Sequence, residues 1–135
     1  MTKQCLKFIK NYWVFLTLLM LTAITLLSLW PLKQLPAVPG TDKTHHLIAY
    51  ALLMLPVALR RPDYWIGYGL LFIAYSGVIE LIQPLVHRYG EWMDLLANAI
   101  GVICGAMIAT LIHLLLAARK KNAGEESKQV NSFYF

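Results

Sequence analysis

YSGVIELIQPLVHRYGEWMDLLANAIG, residues 75–101, closes one apolar run with Glu80 and Gln83 and opens the next with Asp94 and Asn98. An ionisable side chain is costly inside a bilayer, so each one in or near a span points to a function and to a partner. The stretch therefore predicts two membrane helices joined by a short polar turn, with carboxylates and amides at the ends of both.

The composition of the whole chain agrees with a membrane protein. Of its 135 residues, 59% are hydrophobic and 14% are charged, and the mean hydropathy is +0.58. A soluble domain normally has about 25% charged residues. The net charge of +5 lies in short basic clusters beside apolar runs, which is typical of membrane topology and not of nucleic-acid binding.

Four apolar segments approach the roughly 20 residues that an α-helix needs to cross a bilayer. The predicted spans are residues 12–30, 43–59, 64–83 and 94–118. The second segment is short, and it reaches a spanning length only if its helix begins near Asp42, which would act as the amino-terminal cap. The sequence thus predicts an all-α, four-helix transmembrane bundle in the cytoplasmic membrane.

The distribution of basic residues predicts the orientation of this bundle. The amino terminus, the 60-RRPD-63 turn and the segment after residue 118 hold nine Lys and Arg residues, whereas the two other connections hold Lys33, Lys43 and Arg88. Because basic residues favour the cytoplasmic side, both termini are predicted to be cytoplasmic. Residues 119–135 form a polar tail for which we expect disorder.

With this orientation, the polar residues of three predicted helices meet at the outer face. Glu80 and Gln83 end the third span, and Asp94 and Asn98 begin the fourth. The second span begins at the same face and adds its own polar residues, which are Asp42, Lys43 and His46. Small residues spaced four apart, including Gly101 and Gly105, continue the polar face of the fourth span and favour close helix packing.

The turn before the fourth span carries a further basic residue, Arg88. A guanidinium group can bind a carboxylate or a phosphate through two parallel hydrogen bonds. We therefore expect Arg88 to bind Glu80 or Asp94, or to face an anionic ligand.

These residues together resemble the VanZ-like family of small multi-pass membrane proteins. The resemblance rests on 42-DKTHH-46, Tyr50, 80-ELIQ-83, Arg88 and 94-DLLANAIGVICG-105. It implies a membrane protein of the cell envelope. Because the family is associated with resistance to the glycopeptide teicoplanin, the resemblance also implies a contribution to this resistance. It does not imply a defined biochemical activity.

Three functions agree with this pattern. The first is recognition of an anionic lipid or a lipid-linked cell-wall precursor, with ligand-binding residues Lys43, His46, Glu80, Gln83, Arg88, Asp94 and Asn98. The second is an intramembrane hydrolase or transferase that acts on a lipid-linked substrate, for which Glu80, Asp94 and His46 are the catalytic candidates. The sequence has no GxSxG, HExxH or CxxC motif to support it.

The third function is structural, and in it the polar residues form an internal ion-pair network that holds the helices in register. In each case, structural roles are expected for Asp42, Tyr50, Gly101 and Gly105. No cofactor, metal site or nucleic-acid partner is expected. In the enzyme interpretation alone, Asp42, His46, Glu80 and Asp94 have the chemistry to hold a divalent ion.

Overall fold

The computed structural model describes residues 3–30, 42–88 and 90–132, with side chains as far as residue 123 in the last helix. These residues form α1 (Lys3–Asn11), α2 (Trp13–Leu29), α3 (Asp42–Arg60), α4 (Trp65–Ile82) and α5 (Trp92–Ser132). A short 3-10 helix, Gln83–Val86, follows α4. The described ranges contain no strand, so the predicted all-α class is confirmed.

Helices α2, α3 and α4 begin and end within one residue of the predicted spans 12–30, 43–59 and 64–83. The last helix differs from its prediction of 94–118, because it continues to Ser132 through the segment for which we expected disorder. Residues 119–132 contain no proline, and six of the fourteen are Lys, Glu or Arg, which favour helices. Residues 133–135 lie outside the described residues.

Among the residues that the structure describes, two helical segments are long and apolar enough to cross a membrane, Trp65–Val86 and Trp92–Ala123. A third crossing is counted if α1 and α2, which meet at an angle of 73°, form one broken span. Helix α2 alone has 17 residues, which is too short to count as a crossing. Helix α3 is long enough, but it does not count because the polar residues in its first turns lower its hydropathy. These findings agree with a membrane protein, whereas the four crossings and their orientation remain predictions.

Helix α3 lies at the centre of the fold and contacts each of the other four α-helices. Its buried residues extend along its whole length, from His46 to Leu59. Tyr50, Leu53 and Val57 are at most 1% exposed. The helix with the most polar first turn is therefore also the most enclosed one.

Two glycines let α5 approach α3 closely. A Cβ atom added to Gly101 would lie 2.4 Å from the carbonyl oxygen of Leu47, and one added to Gly105 would lie 2.4 Å from that of Ala51. No side chain fits at these distances. The contact between the two backbones brings the first turns of α3 and α5 together, where the polar residues lie.

Candidate functional site at the junction of α3, α4 and α5

Polar side chains from three helices meet at one end of the fold. We call this group the polar cluster, and its members are Lys43, His46, Ser76, Glu80, Glu91, Asp94 and Asn98. Four of them are nearly inaccessible: Ser76, Asp94 and Asn98 are at most 3% exposed, and Glu80 is 8% exposed. Buried polar groups of this kind require specific partners, because they have lost their contacts with water.

Asn98 joins the three helices through two hydrogen bonds. Its Nδ2 donates to Ser76 Oγ on α4 at 2.6 Å, and its Oδ1 lies 3.1 Å from His46 Nδ1 on α3. Asn98 lies one turn after Asp94 on α5, so both residues belong to the same face. The amide thus fixes the relative positions of α3, α4 and α5 at this end.

Asp94 lies between two basic residues of α3. Its Oδ2 is 3.7 Å from His46 Nε2, and its Oδ1 is 3.9 Å from Lys43 Nζ. Lys43 forms its closer ion pair with Glu91 Oε2, at 2.9 Å. This ion pair is about half exposed, whereas the Asp94 side chain is 5% exposed. The partly accessible Lys43 and Glu91 therefore cover the buried Asp94.

The turn before α5 packs against the end of α4. The backbone N–H of Glu91 donates to Glu80 Oε2 at 3.1 Å. A Cβ atom added to Gly90 would lie 2.3 Å from the carbonyl oxygen of Glu80, so only glycine fits at this point. The Glu80 carboxylate is thus held by the turn and does not project into a surrounding hydrocarbon layer.

Arg88 and Gln83 form hydrogen bonds to α2 rather than to an acidic residue. Arg88 donates to the carbonyl oxygens of Leu27 at 2.9 Å and of Trp30 at 3.2 Å. Gln83 Nε2 donates to that of Ser28 at 3.2 Å. The last carbonyl groups of a helix have no partners within the helix. Both residues therefore stabilise the end of α2, a role that the sequence did not indicate.

Several buried acceptor atoms remain without hydrogen bonds among the described residues. Two of them are the Tyr50 hydroxyl oxygen, which can also donate, and His113 Nε2. The other three are Glu80 Oε1, Gln83 Oε1 and Asp94 Oδ1. All three are oxygens that can accept a hydrogen bond or bind a cation. In the described part of this end, the four carboxylates of Asp42, Glu80, Glu91 and Asp94 lie with two permanently charged basic residues, Lys43 and Arg88, and with His46. The polar cluster thus has a surplus of acceptors.

One subset of these residues has the geometry of a cation site. Asp42, His46 and Asp94 each offer one donor atom, and the three atoms lie within 4.8 Å of one another. The sequence led us to expect no metal site, although in the enzyme interpretation Asp42, His46 and Asp94 were named, with Glu80, as able to hold a divalent ion. The close packing of α3 and α5 brings them together.

The structure thus unites five of the seven predicted ligand-binding residues and directs Gln83 and Arg88 to α2. Tyr50, predicted to be structural, is buried beneath the polar cluster, and its Cβ lies 3.1 Å from the position of a Cβ on Gly101. The predicted set lacked Ser76 and Glu91. Ser76 could have been included from its spacing, since it lies one helical turn before Glu80. Glu91 could not, because it lies in a turn that has no periodicity.

A groove on the described surface lies away from the polar cluster. It has a volume of about 500 Å³ between α4 and α5, and its lining is almost wholly apolar, from Trp65 and Leu70 to Met107 and Leu114. An apolar groove on membrane helices is expected to face lipid chains. It adds no polar group to the site.

Comparison with known proteins gives one match. Residues 3–113 match the family described as VanZ/LLP1, and this range covers all the members of the polar cluster. No curated protein and no solved structure matches the chain.

Proposed function

The chain belongs to the VanZ/LLP1 family, and from this premise we propose that it spans the cytoplasmic membrane several times and recognises the polar head group of a lipid or a lipid-linked envelope precursor at the outer face. The apolar helices and the family support the membrane location. The polar cluster is the recognition site.

The proposed topology has four crossings, formed by α2, α3, α4 and α5, with both termini in the cytoplasm. The count of Lys and Arg residues supports this orientation. Reporter fusions after residues 40 and 90 should be active outside the cytoplasm, and a fusion after residue 62 inside it. A cytoplasmic signal at residue 90 would contradict the proposal, since it would place the polar cluster on the inner side.

The observation that carries the proposed recognition is the surplus of buried acceptors. Glu80, Gln83 and Asp94 each leave one oxygen without a hydrogen bond in the described part of the chain. An internal ion-pair network would satisfy its own members, because an unpaired buried oxygen costs about 1–3 kcal/mol. A head group that carries hydroxyl, amide or ammonium groups supplies the missing donors.

Lys43 gives the site its contact for a phosphate. Its side chain is 46% exposed, and it lies at the aqueous edge of the polar cluster. Arg88 is not available for this task, since it is 8% exposed and bonded to α2. The ligand therefore combines one anionic group with several donors, as the head group of a lipid-linked sugar precursor does.

Photo-crosslinking tests the proposed recognition. Purified protein in nanodiscs is exposed to a photoactivatable polyprenyl-phosphate sugar in the presence of a chelator. We expect wild-type protein to be labelled and the Lys43→Ala and Glu80→Gln variants to be labelled about 10-fold less, equivalent to about 1.4 kcal/mol. Size-exclusion chromatography verifies that each variant is folded.

Arg61→Ala is the matched control, because Arg61 is an exposed basic residue at the other end of α3. It should be labelled as strongly as wild type. Equal labelling of Lys43→Ala, Glu80→Gln and wild type would exclude recognition by the polar cluster. If a sugar-free polyprenyl phosphate labels wild type as strongly as the sugar-bearing probe does, the hydrogen-bond donors of the sugar do not contribute to binding.

A structural role is the second candidate, and the bonds from Gln83 and Arg88 to α2 favour it. Under this alternative, Glu80→Gln lowers the amount of folded protein in the membrane. Under recognition, the variant protein accumulates in the membrane but does not bind the lipid probe.

Teicoplanin susceptibility of cells with and without the gene is the test of the resistance role that the family resemblance suggests.

A further inference from the structure

The Asn98 amide determines which nitrogen of His46 carries a proton. Asn98 Nδ2 is the donor to Ser76, so Asn98 Oδ1 is left as an acceptor 3.1 Å from His46 Nδ1. The hydrogen of the imidazole ring must therefore be on Nδ1 to complete this bond. In the neutral ring, Nε2 then carries a lone pair.

This lone pair faces another acceptor. His46 Nε2 lies 3.7 Å from Asp94 Oδ2, beyond the range of a hydrogen bond. The two atoms are close enough to share one ion, since 3.7 Å is less than twice the usual metal–ligand distance of about 2.1 Å. Asp42, one helical turn before His46, places a third donor within 4.8 Å.

Asp94 independently indicates a missing positive group. Its side chain is 5% exposed, and Oδ1 has no hydrogen-bond partner among the described residues. The nearest ammonium, Lys43 Nζ, is 3.9 Å away and is bonded to Glu91 at 2.9 Å instead. A buried carboxylate with so few donors is costly unless a cation compensates it.

We propose that Asp42, His46 and Asp94 bind a divalent transition-metal ion such as Zn²⁺. A histidine that donates its second ring N–H to an amide oxygen is the usual arrangement around a metal-bound imidazole. Three protein ligands leave one position open, as in catalytic and not in structural zinc sites. Of the three ligands, Asp42 is exposed and the other two are buried, so the site lies at the accessible edge of the polar cluster.

This inference goes beyond the proposed recognition and does not depend on it. The two proposals share Asp94, whose free oxygen either the ion or a head group can contact, whereas the free oxygens of Glu80 and Gln83 stay available to a head group alone. The two proposals can therefore fail separately, provided that each is measured without the other ligand.

Isothermal titration of lipid-free protein in detergent tests the site. The protein is first treated with a chelator, exchanged into chelator-free buffer and titrated with ZnCl₂. We expect saturable binding of one ion per chain. Asp42→Asn should weaken the affinity at least about 10-fold, because loss of an outer-shell contact alone costs about 10–100-fold. Asp42 is exposed, so this variant should fold normally.

Asp63→Asn is the matched control, since Asp63 is an exposed carboxylate beyond the other end of α3. It should bind as wild type does. Cobalt supplies a second readout, because bound Co²⁺ should give a visible absorption band that Asp42→Asn weakens and Asp63→Asn retains. An absence of saturable binding in wild type, or equal affinity in both variants, would overturn the proposal. Lipid labelling under chelator is unaffected by either result.

Discussion

At one end of the fold, charged side chains are buried and bonded to other helices, whereas at the opposite end they lie at the surface. Glu80, Arg88 and Asp94 are at most 8% exposed. At the opposite end, Arg61 is exposed, stacks over the Trp65 ring at 5.5 Å and donates to Thr110 Oγ1 at 3.2 Å. An arginine at one end, Arg88, thus forms buried contacts, whereas an arginine at the other end, Arg61, forms contacts that are exposed to solvent.

This difference separates charged residues whose contacts with other helices are buried from charged residues whose contacts are exposed to solvent. Burial of a charge is costly, and it persists where partners or a ligand offset the cost. The polar end has both helix-fixing contacts and unsatisfied acceptors, so it is the candidate site. Changes of equal chemistry at the two ends should therefore have unequal effects.

The largest effect on stability should come from Gly101→Ala, because it introduces a steric clash at the contact that brings the first turns of α3 and α5 together. The new Cβ atom would lie 2.4 Å from the Leu47 carbonyl oxygen, so the helices must separate. We expect a loss of about 3 kcal/mol or more of unfolding free energy. Gly77→Ala is the control, because nothing lies within 4 Å of its Cβ position. Reversible unfolding in detergent micelles measures both. Equal stability of the two variants would mean that the helices do not touch here.

Arg88→Ala should have the second largest effect. It leaves the carbonyl groups of Leu27 and Trp30 without their buried donor, and hydrogen bonds to charged groups contribute about 1.5–3 kcal/mol. The comparison is Arg61→Ala at the opposite end, where a surface change should stay within about 0.5 kcal/mol. The same unfolding assay applies. A similar loss in both arginine variants would remove the distinction between the two ends.

Asn98→Ala should have an intermediate effect of about 1–2 kcal/mol, because it removes the bonds to His46 and Ser76. Thr110→Ala, on the same helix but bonded to the exposed Arg61, should be nearly neutral. A double-mutant cycle of Asn98→Ala with His46→Ala should show coupling between the two sites. Strictly additive effects would show that the bond between them contributes nothing.

The smallest effect should come from Glu91→Gln. Its ion pair with Lys43 is about half exposed on both sides, and exposed pairs contribute little because water and salt screen them. The melting temperature should fall slightly at low salt and match that of wild type at high salt. A decrease as large as that of Asn98→Ala would indicate that the edge of the polar cluster is as tightly coupled as its interior.

Periodicity explains which parts of the fold and the site could be predicted. Asp94, Asn98, Gly101 and Gly105 share one face of a regular helix, so their common face follows from spacing alone, whereas its contact with α3 does not. The partners of Arg88 could not be predicted in this way, because its turn has no period and any exposed carbonyl or carboxylate can bind it. The bend between α1 and α2 was missed for the same reason, since the sequence there continues without a Gly or Pro to mark it.

The central position of α3 has a consequence for biosynthesis. A ribosome releases α3 before α5, yet the carbonyl oxygens of Leu47 and Ala51 lie against Gly101 and Gly105, and His46 is bonded to Asn98. In a four-span topology, α3 thus leaves the ribosome with α1 and α2 already made, but without the partners on α5 that its polar first turn has in the folded protein. The contacts of His46, Leu47 and Ala51 with α5 can form only after α5 has been synthesised, so we expect the α3–α5 pair to assemble late.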